Sequence, residues 1–133
     1  MAKYFTLQEL TRSATATAKG IDNTPPPDIK VKLTSLANDC LDPVRELWGK
    51  PIHVNSGFRC KQLNDAVGSK DTSQHLRGEA ADITTGSKEG NKKLFDMIVA
   101  SDIKFDQLID ESNYSWIHIS YRAGNNRRNV LHL

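Results

Sequence analysis

The sequence predicts an α+β fold, and three observations carry that prediction. Ile29, Leu33, Leu36, Cys40, Val44 and Leu47 recur in steps of three and four, the period of a helix with one buried face. Two β-rich runs, Phe105 to Asp110 and Trp116 to Tyr121, flank a short polar connection and read as a hairpin. Helical segments are grouped early and hairpin-connected strands come late, the order expected of an α+β architecture.

Each element has its own signal. Thr6-Leu7-Gln8-Glu9 has the form of a capping box, so a short helix is expected over Leu7 to Thr11. Residues 13–27 are rich in Thr, Ala, Gly and Pro and read as an irregular N-terminal arm. Pro25-Pro26-Pro27 cannot lie inside a helix, so the main helix starts at about Asp28 and runs to Trp48. Pro43 should kink or divide it near Leu41-Asp42, and Gly49 and Pro51 stop it. Ile52 to Asn55 is a strand ending in Ser56-Gly57, and Lys61 to Val67 is a short helix ending at Gly68. Glu79 to Thr84 is a strand. Ser87 to Ala100 is a helix with an apolar face of Leu94, Phe95, Ile98 and Val99. Arg128 to Leu133 offers a last strand.

The composition bounds the function. A chain of 133 residues suits one domain over 1–133, with 1–27 as its arm. It is 38% hydrophobic and 26% charged, which is ordinary for a globular protein. A net charge of +2 gives no general argument for nucleic-acid binding. Arg122, Arg127 and Arg128, around Gly124-Asn125-Asn126, read as a solvated turn, with weak attraction to an anionic cell wall as the alternative. No apolar run reaches membrane-spanning length. Met1 to Leu7 lacks the apolar stretch of a signal peptide, so synthesis without an encoded secretion signal is expected. Two cysteines are too few for a disulfide scaffold; Cys40 falls on the buried helical stripe and Cys60 follows Arg59. His53 has no partner at metal spacing and reads as structural or exposed. A monomer is expected.

The most informative stretch is Ser73 to Asp82, which reads S-x-H-x-x-G-x-A-x-D. His118 follows inside the strand-like run Trp116-Ile117-His118-Ile119. Two histidines and an aspartate suffice for a catalytic zinc, which takes three protein ligands and keeps a fourth place open. Asp is depleted in strands and costly to bury without a partner or a metal. On one straight strand His75 and Asp82 would lie about 23 Å apart, at ~3.3 Å per residue. The chain must therefore fold back between them, and Gly78 permits it. Ala80 and Asp82 would then share a strand face, with the small Ala80 leaving room above it.

These residues resemble the zinc D-alanyl-D-alanine peptidase family, which includes vancomycin-resistance D,D-peptidases and several phage endolysins. The hedgehog signalling domain shares its fold. The resemblance runs from about Ile52 to Tyr121 in three blocks: Val54 to Arg59, Ser73 to Asp82, and Phe105 to Ile109 continuing through Trp116 to Ser120. It implies a hedgehog/DD-peptidase-like fold, a small antiparallel sheet packed against helices with a zinc site on the sheet. It also implies His75, Asp82 and His118 as ligands of Zn2+, and Arg59, in the S-G-x-R motif, as the substrate-binding arginine.

The match loosens at the general base. Many members carry an acid three positions before the second histidine ligand, where this chain has Ser115. Others carry it at the end of the preceding strand, which fits Glu111. Asp110 is the fallback, because adjacent strand residues face opposite ways and the sequence does not say which face looks inward. Ser73 is expected to bind substrate, orient His75 or merely cap a loop; Trp116 walls the cleft or joins the core.

The implied function is a zinc metallopeptidase acting on peptidoglycan stem peptides, of the D-Ala-D-Ala carboxypeptidase type. A peptidoglycan endopeptidase, as in phage endolysins, is the near alternative. A non-catalytic zinc-binding or cell-wall-binding module is the alternative from another class. Cell-wall action without a leader would suit a phage or prophage protein made in the cytoplasm.

Overall fold

The computed structural model describes residues 2–70 and 72–133. Helix α1 (Leu7–Thr11) begins with the expected reciprocal cap between Thr6 and Glu9. Where an irregular arm was expected, a helix α2 (Ala14–Lys19) forms, capped by the Ser13 hydroxyl. It shows no apolar stripe because Ala16 is its one buried residue, so only its cap and its alanines marked it in the sequence.

The main helix is α3 (Pro27–Leu36) and α4 (Asp42–Trp48), joined without a break by a widened π turn over Ala37–Leu41. Pro43 explains the joint. It has no N–H for the carbonyl four residues back, and a π turn absorbs that misfit without ending the helix. Leu33, Leu36, Cys40, Leu41 and Val44 are fully buried along this helix. Truncating one such leucine to alanine typically costs about 2–5 kcal/mol. Helix α5 (Lys61–Ala66) is capped by Cys60, whose sulfur accepts from the Leu63 N–H. Helix α6 (Lys88–Val99) buries Leu94, Phe95 and Ile98.

Five strands, β1 (His53–Ser56), β2 (Ala80–Thr84), β3 (Gln107–Glu111), β4 (Trp116–Ser120) and β5 (Asn129–His132), form one sheet in the order β1-β2-β4-β3-β5. The first three pairings are antiparallel, but β5 runs parallel to β3, so the sheet is mixed rather than antiparallel. The reason is topological. β2 already occupies the other side of β4, so the last strand pairs at the nearer free edge, that of β3. Reversing after β4 then leaves it parallel to β3.

That crossing is pinned by an ion pair between half-exposed Arg127 and enclosed Asp106, not by a solvated turn. Arg127 donates through Nε and Nη2 to Asp106 at 2.8 and 2.9 Å. Arg128 donates to the Ser101 and Ile103 carbonyls and lies over the Phe105 ring. Arg122 approaches the buried Glu79.

Alternation gives the sheet two faces. Ala81, Ile83, Leu108, Ile117 and Ile119 pack with the α3, α4 and α6 side chains into the core. Asp82, His118 and Trp116 fall on the opposite face. No helix among the described residues is long and apolar enough to cross a membrane.

Candidate active site

Sheet register brings the first two functional residues together. Asp82 of β2 pairs directly with His118 of β4. His75 arrives from outside the sheet, on a 3-10 turn over Gln74–Arg77. The fold-back expected before Asp82 occurs at Gly78, with φ 70°. A Cβ at Gly78 would stand 2.8 Å from Ile29 Cγ2, so the turn also lies hard against α3. Ala80, two residues on at the start of β2, is fully buried on the same strand face as Asp82.

The geometry suits a metal. His75 Nε2 lies 3.4 Å and His118 Nδ1 3.1 Å from Asp82 Oδ1. One donor atom from each residue falls within 4.8 Å of the others. Donors about 2.0–2.2 Å from a tetrahedral zinc stand roughly 3.3–3.6 Å apart, so little rearrangement is needed.

The proton inventory agrees. His75 Nδ1 is 2.7 Å from the Gly57 carbonyl oxygen, which only accepts, so Nδ1 carries the proton. In the neutral ring, Nε2 then turns a bare lone pair toward a carboxylate oxygen, an arrangement completed by a cation. Backbone support of this kind fixes the tautomer of a ligating histidine. Burial acts to raise the Asp82 pKa, but the His118 and His75 imidazoles beside it outweigh that and hold the carboxyl below the usual range.

Gly57 connects the site to the N-terminal arm. A Cβ there would lie on top of the Leu10 carbonyl oxygen, and the neighbouring Phe58 N–H donates to that same oxygen at 2.7 Å. The arm thus seats the loop whose carbonyl orients His75. Asn23 reinforces the seat by bonding Thr11, Phe58 and Cys60 backbone atoms. Sequence reasoning noted Gly57 only as part of a motif and missed its carbonyl.

An open cleft of about 640 Å³ lies over the three residues, and its lining includes Arg59, Ser73, Trp116 and Glu111. The strand-face question is resolved by β3: Gln107, Ile109 and Glu111 line the cleft. Asp110 faces the other way. It is buried, accepts from the Tyr114 N–H at 2.6 Å, and lies 3.2 Å from His132 Nδ1. Ser115 bonds the Ser112 carbonyl within the hairpin.

Arg59 is half-buried, and its backbone N–H donates to the His75 carbonyl. Its Nε is buried without a hydrogen-bond partner among the described residues. Burial lowers its pKa, partly offset by the nearby charge of Asp82. Ser73 lines the cleft and also caps the 3-10 turn, accepting from the His75 N–H. Trp116 is half-buried at the cleft wall.

A second wall went unnoticed in the sequence: residues 67–70, held by buried Asn64, whose side-chain amide donates to the Lys70 carbonyl at 2.9 Å. Cys60 does not line this cleft.

Comparison with known proteins agrees with this chemistry. A zinc D-Ala-D-Ala carboxypeptidase of Streptomyces albus G is 45% identical over 49 residues. The shared stretch is 36% of this chain and 19% of that protein, so the chain spans only about a fifth of the relative's length. Residues 3–120 match the family described as peptidase M15, which is most of the chain. The donor set and the family point to the same cofactor, Zn2+. With two imidazoles and a carboxylate converging under an open cleft, and a family match over nearly the whole sequence, the chain belongs to the peptidase M15 family, with a donor set suited to Zn2+.

Proposed function

We propose that the chain hydrolyses peptidoglycan stem peptides in the bacterial cell wall, as a zinc metallopeptidase of the D-Ala-D-Ala carboxypeptidase type. The observation that carries this reading is the convergence of His75, Asp82, His118, Glu111 and Arg59 on one cleft. The named activity of the Streptomyces relative supports the choice of substrate. The architecture is accordingly read as hedgehog/D,D-peptidase-like, working as a monomeric domain.

His75, Asp82 and His118 would hold the zinc. When bound, the ion supplies Lewis acidity and lowers the pKa of water. Glu111 accepts the proton of the attacking water and returns it to the leaving amine. Arg59 pairs with a substrate carboxylate, for which a planar guanidinium offers two parallel donors. Its orphaned Nε is a donor whose need a ligand can meet. Ser73 holds the turn that presents His75, and Trp116 walls the cleft beside the substrate. A module that merely binds zinc would have no use for Glu111 and Arg59 facing the same space.

The test is zinc content followed by release of D-alanine from N-acetyl-L-Lys-D-Ala-D-Ala. One bound zinc and chelator-sensitive release of D-alanine are expected. Bound zinc without hydrolysis of this peptide or of purified peptidoglycan would overturn the reading in favour of a binding module.

A further inference from the structure

A second cavity, of about 310 Å³, lies across Arg59 and Asp82 from the main cleft. The two share Val67, Arg59 and Asp82 in their linings, so those side chains divide one continuous depression. The new cavity is bounded by the arm, at Arg12, Ser13, Ala14 and Thr15, and by Asn55 and Ser56 of β1. Its size falls at the lower end of small-ligand sites, which run from roughly 300 to 1,000 Å³.

Strand β1 has features beyond an ordinary edge. It is one of the two edge strands, paired only with β2 among the described residues. Over His53–Ser56 no backbone hydrogen bond to any other element is made by the described residues. The register shifts between Val54 and Ser56, and Ser56 pairs with the ligand Asp82. Asn55 is therefore a bulged residue next to the metal site, a placement that re-aims side chains. Asn55 is exposed, and neither its amide nor the Arg12 guanidinium has a partner among the described residues. An open strand edge with unengaged donors beside it is how proteins take up an extended peptide.

We propose that this cavity is the second half of the substrate cleft. It takes an extended peptide segment on the far side of the scissile bond, laid along the free edge of β1 with Arg12 and Asn55 donating to its carbonyls. The occupant is the continuation of the same substrate, because Arg59 and Asp82 face both halves. The arm is thus a wall of the active site as well as a support. A two-ended cleft accepts peptides that continue past the scissile bond, with the arm and β1 setting which continuations fit. This inference rests on the peptidase reading above.

The test compares N-acetyl-L-Lys-D-Ala-D-Ala with the same peptide extended by three residues at its carboxyl end. Ala14→Trp, at an exposed position, should fill the cavity and lower kcat/KM for the long peptide relative to the short one by about tenfold. An unchanged ratio would overturn the proposal. A binding measurement separates this failure from failure of the peptidase reading. In the zinc-loaded Glu111→Gln chain, the long peptide should shift backbone amides of residues 12–15 and 53–56 that the short peptide leaves alone. Shifts confined to residues 67–75 and 107–118, or no shifts at all, would overturn the two-ended cleft whether or not either peptide is cut.

Discussion

Two carboxylates, Asp82 on β2 and Asp106 just before β3, have opposite uses. Asp82 and Asp106 are both held below the usual carboxylate range, Asp106 down to about 2. Asp106 is fully enclosed, and Arg127 and Gln74 supply all of its observed side-chain donors. Asp82 keeps 17% of its side chain exposed, beneath a cleft, and its partners are two imidazoles able to ligate metal. A depressed pKa alone therefore does not mark a functional acid. What distinguishes Asp82 is its partner set: three electron-pair donors converge, and among the described residues no lysine or arginine nitrogen lies within ion-pair distance of its carboxylate. At Asp106 the cation is Arg127, built into the chain. The two acids are also linked, because Gln74, which bonds Asp106, immediately precedes His75.

The sharpest way to break this contrast is to remove each charge in turn. Asp82→Asn should lose bound zinc and essentially all hydrolysis while keeping the fold, read by metal analysis and circular dichroism. Asp106→Asn should do the reverse, keeping zinc at saturating metal but losing stability in denaturant, because the enclosed side chain no longer offers a carboxylate to the half-exposed Arg127. The pH dependence fixes the sign. The Arg127 hydrogen bonds lower the folded pKa of Asp106 against its desolvation, with Gln74 adding to them. Its stabilisation is therefore fully present above the unfolded value of about 3.9 and disappears as pH falls toward about 2. The stability gap between wild type and Asp106→Asn, measured in denaturant, should be constant near neutrality and narrow between about pH 4 and pH 2. A gap that widens on acidification would mean that Arg127 is not the stabilising partner.

Next in size is the pair at the end of β3. Glu111→Gln should keep zinc and fold and lower turnover by about 10²–10⁴-fold. Asp110→Asn should be mild in turnover, since Asp110 serves the hairpin backbone and His132. If the two variants exchange phenotypes, the face assigned to the cleft is not the one the reaction uses.

The metal site was legible in the sequence because its chemistry is compressed into one short segment. A histidine and an aspartate seven residues apart with Gly78 between them leave few ways to fold. Which face of β3 looks inward was not legible, because both faces of the run Phe105 to Glu111 carry an acid. That answer depends on pairing with β4, a nonlocal fact. The direction of β5 depends on which edges earlier strands leave free, and the roles of Arg127 and Arg128 depend on where that crossing falls. Helix α2 escaped notice because it buries a single alanine and has no periodic stripe. The π turn at Ala37–Leu41 was visible only as a proline interrupting a pattern.

The smallest expected effect tests how Arg59 differs from a plain positive charge. Its Nε is buried and unpaired, and burial disfavours its charged form, so it stands ready for an anionic partner. Arg59→Lys keeps the charge but loses the planar pair of donors. The Arg59 backbone bond to the His75 carbonyl survives the substitution, so zinc content should not change. The expected outcome is a loss of about tenfold in kcat/KM on a substrate ending in a free carboxylate. The loss should be smaller on the same peptide with its end amidated, because the amide cannot accept a bidentate pair of charge-assisted bonds. Equal losses on the two peptides would assign Arg59 to a developing negative charge at the scissile carbonyl instead of the carboxylate. No loss on either would remove it from the substrate altogether, leaving a buried guanidinium Nε with nothing to bind.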